Sequence, residues 1–225
     1  MKSISEIAIV IQARLGSKRV PEKMIKPFAG TTLTDIFLEK IKQCKSFPIE
    51  NFYLSAYETE LKDIGYNHEV NVFYRSKKSA DSEGTPMTLM YEWWDKLPFK
   101  YVVLINACVP FLKPETIDSF VNAYAACDND GMFAVMNKKN YFWDSNGSLL
   151  TPLTEDVMNT KTVQETYEAA HCLYAGRLDK IGEGIWMGDF NKSGDIKLFS
   201  VEEEEVLDID YPWQFELCEK LWESR

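Results

Sequence analysis

The chain has 225 residues, of which 45% are apolar and 13% aromatic, enough to bury a core and too many for a disordered polypeptide. Its 25 basic side chains face 35 acidic ones, and the formal charge of −10 excludes a surface that neutralises a nucleic acid polymer by excess positive charge. The length suits one domain over residues 1–225. The cysteines (Cys44, Cys108, Cys127, Cys172 and Cys218) are odd in number, widely spaced and free of any CxxC pair. They read as buried free thiols, with neither a disulfide framework nor a zinc site. The apolar run 7–11 is too short for a membrane span or a signal peptide, so a soluble, cytoplasmic chain without a membrane partner is expected.

Residues 7–11 form a β-branched run that predicts a buried strand feeding a basic, glycine-containing loop over 12–26. Residues 31–44 carry Leu33, Ile36, Phe37 and Ile41 at helical spacing, with Thr32 or Thr34 as cap. A strand over 51–56, a helical piece over 61–65 and a strand over 70–74 follow, then a polar loop through Pro86 and helical spacing over 87–94. The run 101–106 (YVVLIN) is the clearest buried strand and leads into a helix over 114–126. After a strand at 131–136, the polar stretch 137–166 reads as irregular hairpins or a projecting arm, with a floppy surface insertion as the plain alternative. Strands over 169–174 and 196–200 precede a final helix over 212–222. This alternation predicts an α/β fold, a mostly parallel sheet covered on both faces, with ligands at the carboxyl ends of its strands.

The loop 12–26 concentrates five cations, Arg14, Lys18, Arg19, Lys23 and Lys26, on an acidic chain. Gly16 and Ser17 just past a strand let backbone N–H groups approach an anion that the Arg and Lys side chains neutralise. Neither a Walker spacing nor a GxGxxG is present. A solvated basic loop remains the plain alternative. Near the other end, Asp208 and Asp210 stand at i and i+2 on an extended segment and point the same way. They suit magnesium, which takes few carboxylates beside phosphate oxygens and water. The rival reading makes Asp210 the cap of the final helix, whose first turn holds Pro212.

The run QARLGSKRVPEKM resembles the A-R-x-G-S-K-x-x-P-x-K-N signature of the acylneuraminate cytidylyltransferases. The strand YVVLIN with Pro110 and Ile117, and the closing segment around Asp208 and Asp210, resemble two further segments of that family. The resemblance implies a Rossmann-like sheet with a protruding dimerisation arm over 137–166, and hence a homodimer. It implies an enzyme that joins CTP to a nonulosonic, sialic-acid-like sugar acid with Mg2+, giving a CMP-sugar of the kind used in lipopolysaccharide or capsule synthesis. Carried over by position, it assigns Arg14, Leu15, Gly16, Ser17, Lys18 and Lys23 to the nucleotide phosphates, Arg75 and Ser82 to cytosine and ribose, and Asn106 to the nucleotide or to the strand end. Arg14, Lys23, Asp208 and Asp210 become the catalytic set, with Asp208 and Asp210 as metal ligands.

This chain departs from the pattern at Met24 (usually Asn), Asn106 (Gln) and Leu112 (Arg). It also carries Ala170-His171 where the family often has Asn-Gly, which makes His171 a candidate for reading the acceptor sugar. For His68 and His171 a structural role is the competing reading. A nucleotidyltransferase acting on a sugar or polyol phosphate, and a nucleotide-binding protein without turnover, remain open alternatives.

Overall fold

The computed structural model of the chain describes residues 1–81, 86–152, 159–184 and 186–225. Strand β1 (Ile7–Gln12) leads through the basic loop to α1 (Leu33–Gln43), then β2 (Phe52–Ala56), α2 (Thr59–Asn67) and β3 (Asn71–Tyr74). Two one-turn helices, α3 (Lys77–Ala80) and α4 (Met87–Met90), precede β4 (Tyr101–Ile105) and α5 (Pro114–Ala126). The chain continues through β5 (Gly131–Lys138), β6 (Thr166–Arg177), the one-turn α6 (Leu178–Ile181) and β7 (Ile196–Ser200), and closes with α7 (Pro212–Glu223). The helical spacing over 87–94 thus yields one turn of helix followed by turns, because the bulky Tyr91, Trp93 and Trp94 are drawn into packing. Among the described residues no helix is long and apolar enough to cross a membrane.

The strands form one seven-stranded sheet in the order β3-β2-β1-β4-β6-β5-β7. Every pairing is parallel except those of β6, which runs antiparallel to β4 and β5. The alternating pattern could not announce that reversal, because the described residues of the 137–166 stretch between β5 and β6 form no crossover helix. Side chains alternate across the sheet with the period of two that a strand imposes. Ile7, Ile9 and Ile11 face a core shared with α1, α5 and α7, whereas Ala8 and Val10 face a smaller cluster around Trp93, Leu178 and Trp186. The long helices therefore cover one face and short segments cover the other. Fully buried side chains such as Phe37, Phe52 and Phe120 each contribute roughly 1.5–3 kcal/mol of transfer free energy.

Thr32 caps α1, its hydroxyl oxygen accepting from the Asp35 N–H at 3.1 Å, while Thr34 turns inward and donates to the Met24 carbonyl at 2.7 Å. Gly131 opens β5 because any Cβ there would collide with the Met187 carbonyl, so the 186–188 segment lies directly on the sheet. In β6 the register shifts. Phe133 pairs with Tyr174 but Val135 pairs with Ala169, so two steps on β5 face five on β6. The surplus forms a bulge in which His171 takes a φ of 51°, a left-handed conformation rare outside glycine. In the 137–166 stretch β5 and β6 extend as a pair to Lys138 and Thr166, and a bridged turn joins Trp143 to Leu149. Trp143 and Leu150 are exposed there, at 55% and 63%.

Candidate active site

The order β3-β2-β1-β4 reverses direction at β1, and the crevice outside the carboxyl ends of β1 and β4 is the position where such sheets collect ligands. A cleft of about 390 Å³ opens there, lined by Arg14, Gly16, Ser17, Lys18 and Lys23 of the basic loop together with Gln12, Arg19, Met24, Cys108 and Asp210. The loop is folded, not floppy. The Leu15 carbonyl accepts from the N–H groups of Ser17 at 2.8 Å and Glu22 at 3.3 Å, and Val20, Met24 and Phe28 bury its far end in the core. A carboxylate that sequence reasoning missed, Glu58 at the start of α2, accepts from the Leu15 N–H at 3.0 Å. No residue pattern marked it, since it comes from a different βα junction. A Cβ on Gly16 would meet no atom within 4 Å, so the glycine leaves space and is not demanded by packing.

The segment before α7 is pinned across the mouth of the cleft. Ile209 is buried, its N–H donates to the Cys108 carbonyl at 2.9 Å, and its own carbonyl accepts from Lys23 Nζ at 2.5 Å. The flanking aspartates are thereby held beside the basic loop. The Asp210 carboxylate accepts from Arg19 at 2.7 Å and has Lys23 Nζ at 3.8 Å. It does not cap α7. That role falls to the Gln214 side chain, which accepts from the N–H groups of Asp210 at 2.7 Å and Tyr211 at 2.8 Å. Among the described residues, the buried Asp208 Oδ1 has no hydrogen-bond partner. Burial first, and Asp210 second, push its carboxyl above the usual range, against the opposing pull of Lys23, His171 and Arg19.

An unpaired buried carboxylate oxygen costs free energy unless a ligand or cation completes it. Among the described residues no group of three or more His, Cys, Asp or Glu could hold a metal by itself. Two carboxylates at the edge of an anion cleft fit magnesium, whose remaining ligands come from phosphate and water. Cys108, read from the sequence only as a free thiol, lines the cleft, with its thiol beside Lys23 and pushed up by burial.

Other sequence candidates stand further from the cleft lining. The Arg75 guanidinium is 4% exposed and is spent on Ser79, donating to its hydroxyl at 3.1 Å and to its carbonyl, which fixes α3. Burial, then the proximity of Arg14, pulls it down to about 10. Arg14 reaches the Ala80 carbonyl at 3.4 Å, so both arginines donate to carbonyls of α3. Ser82 lies outside the described residues. Asn106 closes the end of β4, its Oδ1 accepting from the Cys108 N–H and its Nδ2 donating to the His171 carbonyl, both at 2.9 Å. His171 projects from the β6 bulge, with Tyr174 OH 3.3 Å from its Nδ1 and Phe133 packed edge-on at 6.0 Å. Leu112, in the place of the family arginine, is buried in the core. His68 sits between Asp35 and Glu39 at 2.8 and 3.0 Å, far along the chain from these groups and in a structural position between α1 and α2.

Comparison with known proteins bears on the family and the fold. A family model described as Cytidylyltransferase matches residues 8–221. The CMP-N,N'-diacetyllegionaminic acid synthase of Legionella pneumophila is 27% identical over an alignment covering 96% of both chains. The spore coat polysaccharide biosynthesis protein SpsF of Bacillus subtilis is 24% identical over 54% of this chain, which spans only 50% of that relative's length. Among solved structures, a CMP:2-keto-3-deoxy-manno-octonic acid synthetase complexed with CTP superposes with a TM-score of 0.70 at 13% identity, covering 97% of this chain and 99% of that one. The likeness in structure is one of fold.

Proposed function

The chain belongs to the cytidylyltransferase family, and on that premise we propose that it transfers CMP from CTP to a nonulosonic, sialic-acid-like sugar acid and releases pyrophosphate. The observation that carries this reading is the meeting of the 12–26 loop with Asp210 in one cleft at the carboxyl ends of β1 and β4, with Asp208 two residues before it on the segment that Lys23 holds. The sugar-acid acceptor is supported by the full-length alignment with the legionaminic acid synthase.

In this reading the triphosphate lies along Gly16 and Ser17, with Arg14, Lys18 and Lys23 neutralising its charge. An acceptor hydroxyl attacks the α-phosphorus and loses its proton to solvent, the bond to the β-phosphate oxygen breaks, and pyrophosphate leaves with the electron pair. Asp208 and Asp210 would hold Mg2+, which when bound supplies charge neutralisation at the phosphate oxygens. The chain's own part is positioning. Lys23 fixes the aspartate-bearing segment, and Arg19 balances Asp210. His171, presented by the β6 bulge on the side of Asp208, faces the acceptor. The exposed apolar residues of the 137–166 arm, Trp143 and Leu150, serve a homodimer contact.

The test is pyrophosphate release from CTP and Mg2+ with a panel of sugar acids, sugar phosphates and polyol phosphates. Turnover with a sugar acid, lost in the Asp208→Asn, Asp210→Asn double variant, supports the reading. Turnover confined to a phosphorylated acceptor replaces the acceptor class, and CTP binding without turnover on any acceptor removes the enzymatic reading.

A further inference from the structure

Gln12 is the last residue of β1 and lies on the same face of the sheet as Ala8 and Val10, the face that packs on Trp93. The Trp93 indole donates to Gln12 Oε1 at 2.9 Å. An indole nitrogen can only donate, so the partner atom must be the amide oxygen, and the orientation of the amide is fixed by chemistry. Trp93 itself is fully buried, with Tyr91 against it at 5.3 Å between ring centroids, so it is a rigid anchor. With its oxygen committed, Gln12 keeps its –NH2 end, two donors, for the cleft that it lines together with Arg14, Gly16 and Ser17. Among the described residues that nitrogen has no protein acceptor.

We propose that Gln12 is a nucleotide-binding residue whose amide nitrogen donates to a ribose or α-phosphate oxygen of bound CTP, oriented for that task by Trp93. The proposal rests on the CTP reading above. The nucleotide, and not the acceptor, is the partner because Gln12 stands two positions before Arg14 on the same strand-to-loop turn, whereas His171 lies on β6 beyond β4. The other groups around the cleft are mostly charged and attract an anion without fixing its rotation. A neutral donor held by a buried ring supplies direction, and direction is what an in-line displacement needs.

Gln12→Glu separates this role from a structural one. The carboxylate still accepts from the Trp93 indole, but the two donors facing the ligand are replaced by lone pairs. CTP affinity is measured by titration calorimetry for the wild type, Gln12→Glu, Gln12→Leu and Trp93→Phe, with melting temperatures alongside and the acceptor KM from pyrophosphate release. The expected result is about a tenfold weaker Kd for Gln12→Leu and about a hundredfold weaker Kd for Gln12→Glu. Trp93→Phe should show a smaller loss as the amide becomes free to rotate. The Gln12→Glu melting temperature and the acceptor KM should stay unchanged. Should Gln12→Leu melt early because the indole is orphaned, Gln12→Glu decides. CTP binding within twofold of wild type in both Gln12 variants overturns the proposal, as does a loss confined to the acceptor KM. A wild-type protein that binds no CTP overturns instead the reading on which it rests.

Discussion

Lys23 Nζ donates to the Ile209 carbonyl at 2.5 Å and stands 3.8 Å from the Asp210 carboxylate, so one ammonium joins the basic loop to the segment that carries both aspartates. It is at once a tie and a charge at the cleft. Lys23→Met removes both, and kcat/KM for CTP should fall by about a hundredfold or more, the usual cost of deleting one preorganised donor to a phosphate or oxyanion. The melting temperature should fall as well. Lys23→Arg keeps the charge but brings a planar fork to a side chain only 12% exposed, and should restore only part of the activity. Steady-state pyrophosphate release and thermal melts measure both effects. A Met variant with wild-type kcat/KM would remove Lys23 from the site.

Asp208 holds a buried, unpartnered oxygen, and burial together with Asp210 disfavours its charge. The ionised carboxylate therefore costs folding free energy, which protonation or a bound cation would offset. Asp208→Asn should abolish turnover while raising the melting temperature of the ligand-free protein by about 2–4 °C, the shift expected for about 1 kcal/mol in a chain of this size. Differential scanning calorimetry without and with Mg2+ and CTP checks this. A lowered melting temperature would show that Asp208 is a stabilising member of the fold.

Much of this arrangement was legible in the residues, for physical reasons that also mark where reading stops. The strand 101–106 and the helix 114–126 were evident because periodicity and a proline at the first turn are local signals, and α5 runs over Pro114–Ala126. The cation-rich loop and the paired aspartates stand out in composition, and the sheet brings Lys23 and Asp210 to one cleft although 187 positions separate them. The reversal of β6 and the bulge at His171 were not legible, since both depend on which strand pairs with which. Neither was Glu58, whose contact to Leu15 is set by the closeness of two βα junctions. The same holds for Arg75. Its donation to Ser79, which holds α3, depends on the fold of a short helix that no pattern announced.

Gly16 offers a test of the cleft that leaves the fold alone. A methyl group there meets no protein atom within 4 Å, and its φ is not left-handed, so Gly16→Ala should melt within about 1 °C of wild type. The added Cβ occupies space along the lining that the triphosphate needs, and the CTP Kd should rise at least tenfold. Calorimetric titration with CTP reads the effect directly. An alanine variant that binds CTP as the wild type does would show that the phosphates lie elsewhere.

Lys40 on α1 is 9% exposed, yet its Nζ donates to the Pro110 and Leu112 carbonyls and lies over the Phe37 and Trp222 rings. A neutral amine still has two N–H donors, one for each carbonyl. Burial, reinforced by Arg225 and opposed by Glu205, pulls the ammonium down from its ordinary 10.5 to about 7. Between these values the unfolded chain binds the proton that the folded chain has released. The Lys40 contribution to stability therefore rises with pH across that window, and below pH 7 the full penalty of the buried charge remains. Lys40→Met has no such titration. Urea unfolding of both proteins from pH 7 to 10 should show the wild type gaining on Lys40→Met as pH increases, by at most about 1.4 kcal/mol per pH unit. Buried thiols and tyrosines titrate alike in the two proteins and cancel in the difference. A pH-independent difference would mean that Lys40 keeps its proton in the folded chain, held by the two carbonyls and the aromatic rings.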